Sequence, residues 1–169
     1  MQKFNMVNHS KRIELLGMKY WGFWLTMFFL MFLPAGILAE VGVESRKIVL
    51  GTHQPLSGPM KNYAQIGRGA SIYFQYLNDQ GGIHGRQLFL LQRDDRFKPQ
   101  RTLKLVEELV MKDRVFALFS GIGTETSESV MPLLKSQGVP HFFIGSNARS
   151  ISEPPRHGIF SMSWRLRDA

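Results

Sequence analysis

The chain has 169 residues, of which 44% are hydrophobic and 20% are charged, so it can build a packed core and is not expected to be disordered. It contains no cysteine, which excludes disulfides, cysteine-ligated zinc, thiol catalysis and a lipid-modified N-terminal cysteine. The formal net charge is +8, but basic and acidic residues are interleaved and no nucleic-acid motif is present, so we expect no nucleic-acid partner.

An uncharged stretch near the N-terminus predicts export. Residues 20–39 carry no charge, follow Lys19 and precede Glu40, and they contain Pro-Ala-Gly before a small final residue, Ala39. A positive flank, an apolar segment, a helix breaker and a small last residue are the parts of a secretory signal. We therefore expect residues 1–39 to be a cleaved signal peptide and the remainder to lie outside the cytoplasm.

Two alternatives accompany this segment. Met18 lies directly before Lys19 and is an alternative start of translation. The second alternative is that the segment is not cleaved and anchors the protein in the inner membrane. Its uninterrupted apolar core from Trp21 to Leu33 is shorter than the roughly 20 residues that span a bilayer, although the Pro-Ala-Gly section extends it.

Beyond residue 40, strand-like and helix-like patterns alternate. Short apolar runs, several of them rich in β-branched residues, predict strands at 47–54, 87–93, 115–119, 139–144 and 159–162. Apolar residues three or four positions apart predict helices at 62–80, from Pro99 onward, and at 126–137. This alternation predicts an α/β fold, a three-layer, Rossmann-like parallel sheet with helices on both faces.

Two details refine this prediction. The second helix is expected to bury a single apolar stripe formed by Leu103, Val106, Leu109 and Val110. The stretch 150–157, which contains two consecutive prolines, is the one linker-like segment.

The predicted sheet also indicates where a ligand binds. In open parallel sheets, ligands lie outside the carboxyl ends of the strands, which selects segments 54–63, 120–125 and 144–147. Tyr63 lies in the first of these segments, at the start of a helix. It is either an ordinary surface aromatic residue or a ring that covers an apolar ligand side chain, and its position alone favours neither.

The segment 121–126, Gly-Ile-Gly-Thr-Glu-Thr, begins like a dinucleotide-binding fingerprint but fails at its end. Thr126 stands where the third glycine is required, and the segment follows the third strand rather than the first. We interpret it as a loop whose backbone N–H groups and helix N-terminus hold an anion such as a carboxylate, with help from the Thr124 hydroxyl. Helix capping by Thr124 or Thr126 is the alternative, and the sequence does not separate the two.

No set of residues predicts catalysis, a metal or a cofactor. Asp94-Asp95 has no third ligand at metal spacing and predicts a strand-end turn with a capping aspartate. Ser57 lies in Leu-Ser-Gly-Pro rather than in Gly-x-Ser-x-Gly, so an exported α/β hydrolase lacks support. The five histidines are dispersed and are expected to form no pair on one face: His9, His53, His84, His141 and His157.

Five motifs in register resemble the periplasmic binding proteins of type I that bind branched-chain amino acids. The first two are the strand 47–51 and the loop 55–59, Pro-Leu-Ser-Gly-Pro. The others are the helix end 77–86, the pair Asp94-Asp95 with Pro99 after it, and Gly-Val-Pro before a strand. The resemblance runs from about residue 46 to 149 and is to the N-terminal part of the family only.

The resemblance implies a receptor, not an enzyme, that captures an amino acid or amide in the periplasm for an ABC transporter permease. In the family, groups after the third and fourth strands grip the carboxylate and ammonium of the ligand. The matching positions here are Thr124, Gly145, Ser146 and Asn147, although Asn147, or Ser146 if the alignment shifts by one residue, stands where a threonine is common. Tyr63 matches a ring that lines the pocket in the family.

The chain is much shorter than the family pattern. Residues 40–150 correspond to part of the first ligand-binding lobe, and residues 151–169 to the start of the crossover toward a second lobe. We therefore expect an incomplete first lobe, a truncated product that binds its ligand weakly or not at all. A non-functional gene fragment, or a small-solute sensor of the same fold, is the alternative.

Overall fold

The computed structural model of the chain describes residues 40–162. In that part, the strands are β1 (Lys47–Gln54), β2 (Gln87–Asp94), β3 (Ala117–Phe119), β4 (His141–Ile144) and β5 (Ile159–Ser161). The α-helices are α1 (Gln65–Asp79), α2 (Pro99–Met111), α3 (Thr124–Gln137) and α4 (Arg149–Ser152), and a 3-10 turn, Lys61–Ala64, precedes α1. The predicted signal peptide lies outside the described residues.

All five strands pair in parallel, in the order β2-β1-β3-β4-β5. The chain moves from β1 outward to β2, crosses back over β1 to β3, and then continues to β4 and β5. Because β-α-β crossovers are right-handed, this reversal places α1 on one face of the sheet and α2 and α3 on the other. The predicted three-layer, Rossmann-like α/β sheet is confirmed.

The predicted elements are all present, with shifted ends. β3 and β4 begin at Ala117 and His141, two residues later than predicted, and α3 begins at Thr124, two residues earlier. The linker-like stretch contains part of the short helix α4. Within residues 40–162, no helix has both the length and the apolarity needed to cross a membrane.

Helix α1 covers the first face of the sheet. The Phe74 ring, only 8% exposed, packs against Leu50 of β1 and Leu88 of β2. The helix ends at the predicted pair of glycines, where the Gly82 N–H donates to the Leu77 carbonyl at 2.9 Å. Gly82 has a φ of 73°, a left-handed conformation that glycine adopts without steric strain, so the turn into β2 is set by the sequence.

Helix α2 buries a stripe that is rotated from the predicted one. Val106 and Leu109 are fully buried as predicted, but Leu103 is 41% exposed, so its assignment to the stripe is wrong. Thr102 takes the inward position instead, and its hydroxyl donates to the buried Asp95 carboxylate at 3.0 Å. A polar contact at the start of the helix therefore fixes which face turns inward, and apolar spacing does not report that contact.

The two leucines of α2 give a matched test of this rotation. We expect Leu109→Ala to lower the free energy of unfolding by about 2–5 kcal/mol, because it leaves a cavity in the core. Leu103→Ala is expected to cost less than about 1 kcal/mol, because that side chain is already partly in water. Urea unfolding followed by circular dichroism measures both; equal losses would contradict the observed rotation of α2.

Candidate functional site

The loops after β3 and β4 are joined at the carboxyl edge of the sheet. Ile122 and Gly145 form a parallel bridge outside the named strands. The Gly145 N–H donates to the Gly121 carbonyl at 2.8 Å, and the Gly123 N–H donates to the Gly145 carbonyl at 3.2 Å. Two of the three segments that the sequence selected for ligand binding, 120–125 and 144–147, therefore lie side by side, at the place that the strand-end rule predicts.

Two hydroxyl groups from these loops meet. Thr124 Oγ1 and Ser146 Oγ lie 2.7 Å apart, and both residues are partly exposed. The Ser146 hydroxyl also accepts a hydrogen bond from the Ala148 N–H at 3.2 Å. Thr124 and Ser146, hereafter the hydroxyl pair, are thus brought together by the fold from positions 22 residues apart.

Helix α3 begins beside the hydroxyl pair without a side-chain cap. Its N-cap residue is Gly123, and no side chain forms a capping hydrogen bond. The Thr126 hydroxyl donates to the Ile122 carbonyl at 2.6 Å instead of accepting from an N–H. Capping by Thr124 or Thr126, the alternative left open by the sequence, is therefore wrong. The backbone N–H groups of the first turn keep their capacity to bind an anion.

The other predicted site residues lie around this point. Gly145 joins the two loops through its backbone, and Asn147 follows the hydroxyl pair on an exposed part of the chain. Tyr63 belongs to the 3-10 turn after β1 and is 52% exposed. In the described part of the chain, Tyr63 makes no hydrogen bond with either member of the hydroxyl pair, so only its exposure agrees with the prediction.

The aspartates after β2 serve the turn, as the sequence indicated. Asp94 accepts hydrogen bonds from the Ser57 hydroxyl at 2.6 Å and from the Arg96 N–H at 3.2 Å. Burial raises the pKa of Asp94, but these hydrogen bonds and the nearby Arg101 charge outweigh it, so the pKa is lowered. The Asp95 carboxylate accepts from the Phe97 N–H at 2.8 Å, as in an Asx turn.

The sequence analysis missed a buried pair of histidines beneath the loops. His53 and His141 are fully buried, and their ring centroids lie 5.5 Å apart in an edge-on arrangement. His53 Nδ1 lies 3.0 Å from Asp95 Oδ2, which orients that ring. The expectation that the histidines form no pair is therefore wrong for these two, hereafter the histidine pair.

The histidine pair explains a glycine in the loop after β3. A Cβ atom on Gly121 would lie 2.6 Å from His141 Nε2 and closer still to His53 Nε2. Neither imidazole can retreat easily, because both lie in the closed interior. Gly121 is thus required by steric contact, not by its φ angle. Across residues 40–162, no three histidine, aspartate or glutamate side chains are grouped to hold a metal ion.

Comparison with known proteins places this arrangement in a family. A family profile described as periplasmic binding protein matches residues 47–168. The chain belongs to this family of periplasmic binding proteins. The family assignment agrees with the parallel sheet and with the position of the joined loops at its carboxyl edge.

Curated relatives are similar to most of this periplasmic binding protein sequence. The Leu/Ile/Val-binding protein homolog 7 of Brucella suis biovar 1 (strain 1330) is 24% identical over 135 residues, which are 79% of this chain and 34% of the relative. The amino acid binding protein of Pseudomonas aeruginosa is 28% identical over 122 residues, 70% of this chain and 32% of the relative. The chain therefore spans about a third of the length of these relatives.

Solved structures share the fold of this periplasmic binding protein chain. The substrate-binding periplasmic protein of Ralstonia solanacearum has a TM-score of 0.64 and 28% identity, and the match covers 70% of this chain and 33% of that one. A branched-chain amino acid transporter substrate binding protein of Streptococcus pneumoniae, solved with isoleucine, has a TM-score of 0.56 and 19% identity, over 64% and 39% of the two chains. At that identity, the second likeness concerns the fold alone.

Alanine substitution at two glycines tests the contact between loop and histidine pair. We expect Gly121→Ala to lower the free energy of unfolding by about 1–3 kcal/mol or more, because the added methyl group overpacks the interior. Gly69→Ala is the control: it lies within α1 with open space around its Cα, so about 1 kcal/mol of stabilisation is expected. Urea unfolding of both variants measures the difference, and tolerance of Gly121→Ala would show that the rings do not contact the loop.

Proposed function

We propose that this chain supplies the carboxylate-binding wall of a periplasmic solute receptor for branched-chain or related amino acids. The wall consists of the joined loops 120–123 and 145–148, the hydroxyl pair and the N-terminus of α3. The single observation that carries the proposal is the 2.7 Å approach of Thr124 Oγ1 and Ser146 Oγ beside an uncapped helix N-terminus. The receptor binds and releases its solute without catalysis.

The chemistry of this wall suits a carboxylate. The first N–H groups of a helix are unpaired donors, and the helix dipole adds partial positive charge at the same end. One hydroxyl of the pair donates to the other, which leaves the second hydroxyl free to donate to a ligand. Together with the helix N–H groups, it offers several donors to a group with two acceptor oxygens. The acidic residue of the first turn, Glu125, is exposed, and the residues at the joined loops carry no other charge.

The names of the relatives support the same ligand class. They include a Leu/Ile/Val-binding protein homolog and an amino acid binding protein. A carboxylate is common to all these ligands, whereas their side chains differ, so the carboxylate is the part of the ligand that the proposal assigns to this wall.

The remaining predicted residues complete the proposed site. Gly145 and Asn147 are assigned to the ammonium side of the ligand, and the exposed Tyr63 ring to its apolar side chain. Since the chain spans about a third of its relatives, a second wall is assigned to sequence beyond this part of the fold. A ligand held by one wall stays in contact with water, which weakens its polar contacts.

The transport role is part of the proposal. Export through residues 1–39 would bring the receptor to the periplasm, and a permease of an ABC importer would take the captured amino acid. Deleting the gene is expected to lower uptake of radiolabelled leucine, and restoring it is expected to recover that uptake. Unchanged uptake would contradict the role in leucine transport, but it would not test whether the wall binds a carboxylate.

Titration of the full chain with L-leucine tests the binding chemistry. We expect backbone amide NMR signals of the first turn of α3 to shift, with a dissociation constant on the order of 1 mM or weaker for one wall alone. Thr124→Val should weaken binding by about tenfold to a hundredfold, because a hydrogen bond to a charged group is worth about 1.5–3 kcal/mol. Ser136→Ala, on an exposed turn of the same helix, is the control and should leave binding unchanged.

Leucinamide separates carboxylate recognition from other contacts. It keeps the leucine side chain and the ammonium group but lacks the negative charge that the wall is proposed to bind. We expect no shift of the α3 signals with leucinamide at concentrations where leucine shifts them. Equal shifts with both compounds would refute the assignment of the carboxylate to this wall.

A further inference from the structure

The histidine pair has no part in the carboxylate-binding wall, yet it lies directly against it. Within residues 40–162, His53 Nε2 and both ring nitrogens of His141 have no hydrogen-bond partner. Unsatisfied polar atoms in a closed interior cost free energy, so native structures keep few of them. Both Nε2 atoms are directed at Gly121, the residue that joins β3 to the wall.

We propose that the histidine pair makes the wall acid-sensitive: the loop 120–123 opens when His141 takes up a proton. The role is distinct from ligand binding, because it acts on the loop whether or not a solute is present. It would release a bound solute, and expose the loop, when the surroundings become acidic.

The groups around His141 leave a protonated ring without a counter-charge. Its strand neighbours, Leu118 of β3 and Ile159 of β5, are apolar. From β1 it faces His53, which is itself a base and adds repulsion when charged. The buried Asp95 carboxylate, after β2, contacts His53.

The remaining elements near the wall offer no compensating charge either. Helix α2 contributes the Thr102 hydroxyl, which is already donated to Asp95. Helix α3 begins with buried hydroxyl residues, Thr126 and Ser127, while Glu125 is exposed. A charge on His141 would therefore be a buried, unpaired charge, which a protein relieves by opening.

The direction of the pH effect follows from this environment. Burial lowers the pKa of His141 well below 6.5, and the charge on a protonated His53 lowers it further. An open or unfolded chain restores the ordinary value, so below about pH 6.5 the open state binds one more proton than the closed state. Stability of the closed loop is thus complete above that pH and falls as the pH drops toward the lowered value.

The loop 120–123 is expected to open before the rest of the fold, because His141 takes up the proton at the point where Gly121 packs against the histidine pair. Gly121 contacts both rings, and its carbonyl accepts the Gly145 N–H that joins the two loops. Moving Gly121 therefore separates the loops and the hydroxyl pair. Helix α1 lies on the other face of the sheet, where its Phe74 packs against Leu50 and Leu88.

Amide hydrogen exchange of the full chain, corrected for the intrinsic pH dependence, measures this opening. We expect the opening constant of the segment 120–124 to rise about tenfold for each pH unit below about 6.5. Peptides from α1 are the internal reference and should rise less. His141→Phe removes the proton site while keeping an aromatic ring, so it should abolish the extra rise; His157→Gln, at an exposed position, should retain it.

A titration of wild-type protein covers the case in which His141→Phe does not fold. In the full chain labelled with 13C at histidine, the ring signal of His141 should stay neutral well below pH 6.5, until the loop opens. A ring that titrates near pH 6.5 while the loop stays closed would overturn the proposal. So would an unchanged pH dependence in a folded His141→Phe variant.

Discussion

The loop after β3 lies where it does because Gly121 has no side chain. Two imidazoles, from strands on either side of β3, fill the space that a Cβ atom would need. The loop can therefore approach the interior, bond to Gly145, and deliver Thr124 to the start of α3 beside Ser146. The position of the two hydroxyls and the burial of the histidine pair both depend on this one close contact.

The fold follows from the sequence because its signals are local. Apolar β-branched runs, helical spacing and paired glycines each act within a few residues, and together they predicted the five strands and helices α1, α2 and α3, but not the short helix α4. The rotation of α2 about its axis depends on a contact outside the helix, because Thr102 turns inward to reach Asp95 in the preceding loop. Apolar spacing alone had placed Leu103 on the buried face. Where a polar contact decides which face is buried, hydrophobic pattern is an incomplete guide.

The candidate site was predictable in part for a related reason. The rule that ligands bind beyond strand ends selected the segments of Thr124 and Ser146, and the structure brings these two hydroxyls together. The histidine pair required the strand order, because β1 and β4 are separated by β3. In the paired register, Gly51, Leu118 and His141 lie level, so His53 is two residues further along the same face. Gly121, just after β3, has no side chain and so leaves the space in which the two rings meet.

The central claim is that a carboxylate binds at the N-terminus of α3, beside the hydroxyl pair. A crystal structure of the chain grown with excess L-leucine tests it most directly. The account predicts carboxylate density within hydrogen-bond distance, about 2.7–3.2 Å, of Thr124 Oγ1 and of a first-turn N–H of α3. Leucine bound elsewhere on the molecule, with the hydroxyl pair and the start of α3 in contact only with solvent, would contradict it.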